Sequence, residues 1–390
     1  MSSMRSRLPR LLCLAAAALL LAPSCASTRA ARGSAPTAEV LQFDPLVVTA
    51  GGKEEMELAG LNDEELFALG TSTFASEDYE KAARCFGRLV DTFPASPHRA
   101  QAAFNAGLSL ERLSKFAEAL ERFKPLADPA KGTGDALDAA FRVAECQYHL
   151  DQYAPAIEVL AVIAERVDVP AQDRLQAKVH KGICQLEDGQ LDAAEVSLRD
   201  ALNYWADKKD AERLDEYFPG QAQFFLGEIY RVFYERVDLD PEQGEDKLSK
   251  DLETKCEMLL SAQGHFLRAI RIGDGQWATA AGFRIGALYE SLYDAMLHAK
   301  VPPGLDEDQQ KIYREELRKK VRVLVTKAMS IYERTLAAAE RIGAENPFIA
   351  KTRESLDRLK LILLEPSEEP AASPAASEPG QGQPPEKPAS

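Results

Sequence analysis

The chain has 390 residues, 45% hydrophobic, 7% aromatic and 28% charged, with 62 acidic side chains against 47 basic ones and a net charge of −15. That length supplies a sizeable core for one large domain or two ordinary ones. The acidic balance argues against a nucleic-acid binder, which needs a basic stripe to displace counterions, and charge spread along the whole chain excludes a polytopic membrane protein.

The first 24 residues read as a targeting segment. Arg5, Arg7 and Arg10 precede an unbroken apolar run over residues 11–21. A run of that length is too short to span a bilayer and suits a secretory signal. Ala22, Pro23, Ser24 and Cys25 follow, and they resemble the lipobox of bacterial lipoproteins, with Leu21 one position earlier than the family's leucine. The resemblance implies lipidation of the Cys25 thiol, with acyl chains such as palmitate as a membrane anchor. Ala26 in place of aspartate implies transfer to the outer membrane of a Gram-negative cell. Ordinary signal cleavage beside an incidental cysteine is the alternative.

Residues 25–60 read as a lipidated linker rich in Ala, Ser, Thr, Gly and Arg. One short β-prone run interrupts it: Phe43, Asp44, Pro45 and Leu46, then Val47, Val48, Thr49 and Ala50. It resembles the TonB box of outer-membrane receptors, an extended segment that adds as a strand to a periplasmic partner's sheet. Strand addition requires only free backbone groups and alternating side chains. A linker segment packing on the first helix explains the same residues.

Self-similarity carries the middle of the chain. From Gly70, large and small residues follow at fixed offsets: Tyr79, Ala82 and Phe86 at +9, +12 and +16, then Pro94 at +24. The first three offsets from Gly107 give Phe116, Ala119 and Phe123; from Ala144, Tyr153, Ala156 and Leu160; from Gly182, Leu191, Ala194 and Leu198. Anchors 37 or 38 residues apart, with short polar turns after each, mark a repeated pair of helices. A small anchor lets the two helices cross closely, and the alanine at +12 is expected opposite it, with the larger residues filling what remains. One pair cannot bury its apolar face alone, so the pairs must stack.

Leu69-Gly70, Ala82, Phe86, Pro94, Gly107, Ala119 and Phe123 together resemble the tetratricopeptide repeat family. The long period is similar to the variant in periplasmic outer-membrane-assembly and cell-division-coordinator lipoproteins. Two further pairs are stretched. A first helix around Gly227 finds its mates late, at Ala262, Phe266 and Ala269, and one around Gly286 finds Ala328, Tyr332 and Leu336. Against the regular +12 offset the insertions measure 262 − 239 = 23 and 328 − 298 = 30 residues. Their charged runs predict helices that lengthen and project. A last helix over residues 347–364 would cap the stack, and the proline-dense, acidic residues 365–390 would remain a disordered tail. The fold expected is all-α: a tetratricopeptide-type right-handed solenoid of about six helix pairs, regular over 61–204 and extended with insertions and a cap over 205–364.

Other motifs fail on context. Gly273, Gly275 and Ala278 have dinucleotide-loop spacing, but between two helices and not after a strand, so they read as a turn. Asp238, Asp240 and Glu242 begin like a calcium loop, yet Ser249 stands where the bidentate glutamate belongs. Cys85, Cys146, Cys184 and Cys256 read as small buried residues without disulfide partners, and scattered histidines predict no metal site. No nucleophile elbow, P-loop or zincin motif appears, so no enzymatic activity, cofactor or small-molecule substrate is expected.

Three residues before the anchors stand Phe67, Phe104, Phe141, Val179, Phe224 and Phe283. In the tetratricopeptide family this position lines the concave groove, which implies an aromatic ladder for an extended peptide or amphipathic helix. Packing of the same rings between neighbouring pairs is the competing reading. The family's carboxylate clamp is absent, since Thr71 and Leu108 follow the first two glycines. The resemblances together imply a lipid-anchored periplasmic scaffold for envelope proteins in assembly, motility or division, with no nucleic-acid partner. A peptide-delivery module and a TonB-linked accessory are the alternatives.

Overall fold

The computed structural model describes residues 53–131 and 134–364, all in one compact unit that begins at Lys53. A short helix α1 (Lys53–Ala59) comes first, within what the sequence reads as linker, and buries Leu58. Six antiparallel pairs follow: α2 (Asp63–Ala75) with α3 (Tyr79–Thr92), α4 (Arg99–Arg112) with α5 (Phe116–Phe123), and α6 (Asp135–His149) with α7 (Tyr153–Glu165). Next come α8 (Ala171–Glu187) with α9 (Leu191–Glu212), α10 (Tyr217–Arg236) with α11 (Glu245–Ile272), and α12 (Gly275–Leu297) with α13 (Glu307–Ile342). α14 (Pro347–Leu364) ends the described chain, and no strand occurs among the described residues.

From α2 onward each helix packs on the next, while α8, α10, α12 and α14 also touch in order. First helices therefore form one row of the stack. α14 joins that row in the place a seventh first helix would take. It faces outward with Lys351, Arg353, Glu354, Asp357 and Lys360, the polar exterior that a terminal repeat needs.

The turns inside the four regular pairs share one device. Seven residues after each anchor the chain turns left-handed, at Glu77 (φ 64°), Ser114 (φ 58°), Asp151 (φ 56°) and Gly189 (φ 77°). The next N–H then reaches five residues back: Asp78 to Thr73 and Lys115 to Leu110, each 2.9 Å, and Gln152 to Gln147 and Gln190 to Gln185, each 2.8 Å. This closure satisfies carbonyls that a helix end leaves open. Helix starts are fixed by side chains: Asn62 with Glu65 and Asp306 with Gln309 form capping boxes. Asp274 caps α12, so the glycine-rich run at 273–275 is a turn between helices.

The anchors are explained by what lies over them, and here the structure amends the sequence reading. The residue facing each anchor glycine is the large one at +16, not the alanine at +12. A Cβ on Gly70 would lie 2.7 Å from the Phe86 ring, on Gly107 2.5 Å from Phe123, and on Gly182 2.7 Å from Leu198. In the stretched pairs it would lie 2.5 Å from Phe266 at Gly227 and 2.2 Å from Tyr332 at Gly286. The glycines let a ring lie flat against the backbone of the partner helix. The +12 alanines are buried beside them, Ala262 and Ala328 included. Burying each large side chain contributes roughly 2–3 kcal/mol, offset by the ordering of the chain.

The stretched pairs reach further than their partners. With Gly227 against Phe266, the end of α10 falls level with residue 257, and α11 continues outward to Glu245. With Gly286 against Tyr332, α12 ends level with Val321, and residues 307–320 of α13 project by about 20 Å. Lys300, in the loop after α12, pairs with Asp240 (3.6 Å) and Glu242 (3.2 Å) beside the 3-10 turn Pro241–Gln243, tying the two projecting ends together. The fourth pair also exceeds expectation, since α9 runs past residue 204 to Glu212. Cys85, Cys146 and Cys184 are buried and free; Cys256 is free but only half-buried, a correction to the reading of four buried cysteines.

Candidate functional site

The row of first helices carries the phenylalanines that the repeat spacing singles out, and each has a specific neighbour. Phe67 meets Phe86 edge-on at 5.8 Å and stacks on His98 at 4.7 Å; Phe104 meets Phe123 edge-on at 5.4 Å. Both rings, like Phe141, are half-buried. Val179 is fully buried. Phe224 is 4% exposed, enclosed by Phe266 (5.4 Å), Trp277 (5.2 Å) and Phe348 (6.2 Å). Phe283 is half-buried against Tyr332 and Phe348, each 6.1 Å away. The accessible part of the ladder is therefore Phe67, Phe104, Phe141 and Phe283. At Phe224 the position is covered, because the cap helix brings Phe348 over it.

Between the rings runs a set of ion pairs that the sequence reading did not pick out. Arg142 lies 3.1 Å from Glu111 and 3.2 Å from Glu145, with all three side chains at most a quarter exposed. Burial pushes the Glu111 carboxyl up to about 7 against the pull of Arg142, and the Glu145 charge adds to the rise. The buried Cys146 thiol donates to Glu111 at 3.5 Å, and burial raises its pKa too. Further along, Glu228 is shared by Arg231 (3.0 Å) and Arg284 (2.9 Å). Glu290 takes Arg358 of α14 and the Tyr332 hydroxyl (3.0 Å). The signal was present in the repeat: Glu145 and Glu228 stand one residue after their anchors, Glu111 and Glu290 four after theirs. Gln221, wholly buried in α10, has both amide atoms without a partner among the described residues.

Residues 67–132 match a family profile described as tetratricopeptide repeat, and residues 138–167 match a second of the same description. The chain carries tetratricopeptide repeats. The matched segments fall on the first three pairs, α2 to α7, and the contact of a glycine with a large side chain recurs beyond them at Leu198, Phe266 and Tyr332. No curated protein matches the chain. Among solved structures it is similar to a tetratricopeptide repeat protein from Parabacteroides merdae, at 12% identity over 76% of this chain and 98% of that one, TM-score 0.34. It is similar also to a repeat protein from Bacteroides fragilis, at 11% identity over 77% and 99%, TM-score 0.29. The apo form of RapI gives 10% identity over 70% and 89%, TM-score 0.36. These likenesses decide nothing further, and the fold rests on the chain's own helix pairs.

The tetratricopeptide stack accounts for the described residues, and the remaining candidates lie outside them. Cys25, Val47, Val48 and Thr49 are outside the described residues. Among those described, no helix is long and apolar enough to cross a membrane, and no group of His, Cys, Asp and Glu is arranged to hold a metal ion. Asp240, which the calcium-like spacing singles out, accepts from the backbone N–H of Glu242 at 3.2 Å and pairs with Lys300.

Proposed function

We propose that this chain is a non-enzymatic scaffold, anchored by lipid at Cys25 to the outer membrane of a Gram-negative cell, whose repeat stack organises a protein complex in the periplasm. Tetratricopeptide repeats generally mediate protein–protein interaction, and the repeats are the part of this reading with direct support. The observation that carries it is the pair of projecting ends. Evolution of a plain peptide groove does not require α11 and α13 to outrun their partners, nor a Lys300 tie between the two ends. Residues 307–320 present a largely exposed helical surface, with Leu317 packed on the core and Ile312 61% exposed, suited to a folded protein partner. Anchoring, compartment and the envelope process rest on the lipobox and repeat resemblances.

A second reading, delivery of unfolded or exported peptides, is favoured by the accessible edges of Phe67, Phe104 and Phe141 beside the Arg142 ion pairs. The strand-addition segment around Val47 to Thr49 would make the protein an accessory of an energy-transducing partner. The discriminating experiment is co-purification from detergent-solubilised native envelopes, read by mass spectrometry. It compares wild type with a form lacking residues 307–320 and with Phe104→Ala/Phe141→Ala. A fixed set of proteins lost only without the projecting end supports the scaffold. A heterogeneous set lost with the phenylalanines supports delivery, and Val47→Pro alone abolishing the complex supports strand addition.

A further inference from the structure

α11 has a side that the stack does not use. Its Leu259, Ala262, Phe266 and Ala269 are buried against the neighbouring helices. The opposite side runs Glu253, Glu257, Leu260, Gly264, Leu267 and Arg271, which at helical spacing fall within about 80° of one another. Leu260 is 60% exposed and Leu267, one heptad on, 38%. Val162 and Val196 are exposed singly on α7 and α9, and the exposed Ile312, Val323 and Ile342 of α13 stand 11 and 19 residues apart; among the described second helices only α11 pairs two exposed leucines one heptad apart. Between the leucines the backbone is open to close approach. A Cβ on Gly264 would meet only the Arg268 Nη1, at 3.7 Å.

We propose that this face of α11 packs against the same face of a second copy, antiparallel, about a twofold axis passing beside Gly264. The occupant follows from the order of residues along the face. A twofold between Gln263 and Gly264 sets Leu260 of each copy against Leu267 of the other, with the two Gly264 backbones at the crossing. It brings Glu257 of each copy to within one residue of the position facing Arg271 of the other. A parallel pairing would set glutamate on glutamate and arginine on arginine. Acid first and base last also suits the helix dipole, but the dipole explains neither the exposed leucines nor the unobstructed glycine. Because a twofold contact repeats every pair, one self-complementary stripe supplies two leucine contacts and two ion pairs. A single helix crossing lies at the low end of interface sizes, so the dimer is reversible, with a Kd on the order of micromolar or weaker. It would double the number of partner surfaces per particle whichever reading of the inner face holds.

Sedimentation velocity of the purified full chain, from roughly 1 to 200 µM to bracket that affinity, tests this with a charge cycle. Wild type is expected to show a monomer–dimer equilibrium. Glu257→Arg and Arg271→Glu should each weaken it about tenfold, since two exposed pairs turn repulsive at once. The double variant should regain wild-type association, and so should an equimolar mixture of the two single variants, in which every pair is again of opposite sign. Leu260→Asp should abolish association. These substitutions sit on an exposed face, and circular dichroism of each variant checks that the helices remain. A wild type that stays monomeric across the range overturns the proposal, as does a dimer indifferent to the single reversals or one that the mixture fails to restore.

Discussion

At the residue scale, the row of first helices carries charges that are held in place by burial and by shared arginines. Glu111 and Glu145 share Arg142, and burial of the Glu111 carboxyl in a poorly hydrated place outweighs the pull of that arginine. The Glu111 carboxyl accordingly sits at about 7 where an ordinary glutamate sits at 4.5. The native state then holds a proton that the unfolded chain has released across that interval. Its stabilising contribution is complete below pH 4.5 and is lost as pH rises to about 7. Glu111→Gln removes this dependence. Thermal denaturation of the two forms at several pH values should show wild type losing stability relative to the variant from pH 4.5 to 7, and level beyond. A constant difference across that range would mean that Arg142 keeps Glu111 ionised throughout. None of this is visible in the sequence alone, where Glu111 is one of 62 acidic residues and nothing marks it as half-enclosed.

At the element scale, two contacts decide how the helices pair. Gly107 lies under the Phe123 ring, where a Cβ would come to 2.5 Å. Gly107→Ala should therefore destabilise by about 1–3 kcal/mol, the usual range for overpacking. The third pair shows the remedy, because Ala144 stands at its anchor and shares a core cluster with Leu160. Adding Phe123→Leu to Gly107→Ala should recover part of the loss, and a denaturation cycle should give a coupling of about 0.5–3 kcal/mol between the sites. The second contact is at the projecting end. Lys255 of α11 is 5% exposed and donates to the Tyr234 carbonyl at 3.0 Å and the Val237 carbonyl at 2.8 Å. It closes the end of α10 together with the Val237 N–H, which also reaches the Tyr234 carbonyl, at 3.3 Å. Lys255→Met should cost about 1–3 kcal/mol locally. Hydrogen exchange of the amides near residues 233–237 is the measure, because a repeat array need not unfold as one unit. Unchanged protection there would show that α10 needs no such cap.

At the scale of the whole molecule, the stack ends with polarity at one terminus and a short helix at the other. α14 sets Phe348 against the buried Phe224 and the half-buried Phe283 and returns Arg358 to Glu290. The cap is thus made of the same inter-helix contacts as the repeats themselves. The lipid attachment proposed above would lie ahead of Lys53, at Cys25. Cys25→Ala should shift the protein from the membrane to the soluble fraction of expressing Gram-negative cells and abolish labelling by palmitate. Retention in the membrane with unchanged labelling would assign the attachment elsewhere.

Periodicity made the helix pairs legible, because anchor, +12 and +16 positions are chemically constrained wherever two helices cross within a ring's thickness. It carried even the insertions: Phe266 and Tyr332 lie over Gly227 and Gly286 after 23 and 30 extra residues, as the offsets require. Local chemistry likewise placed the turns, which depend on neighbours a few residues apart. The tertiary structure alone decided that the +16 ring, and not the +12 alanine, faces each glycine, since both recur at helical spacing and only the crossing angle separates them. It alone decided which ladder rings are open, because Phe348 reaches Phe224 from more than a hundred residues away. It also paired Arg142 with Glu111, and left one face of α11 uncovered. Contacts between units have no period in the sequence, and burial is a property of what arrives from elsewhere.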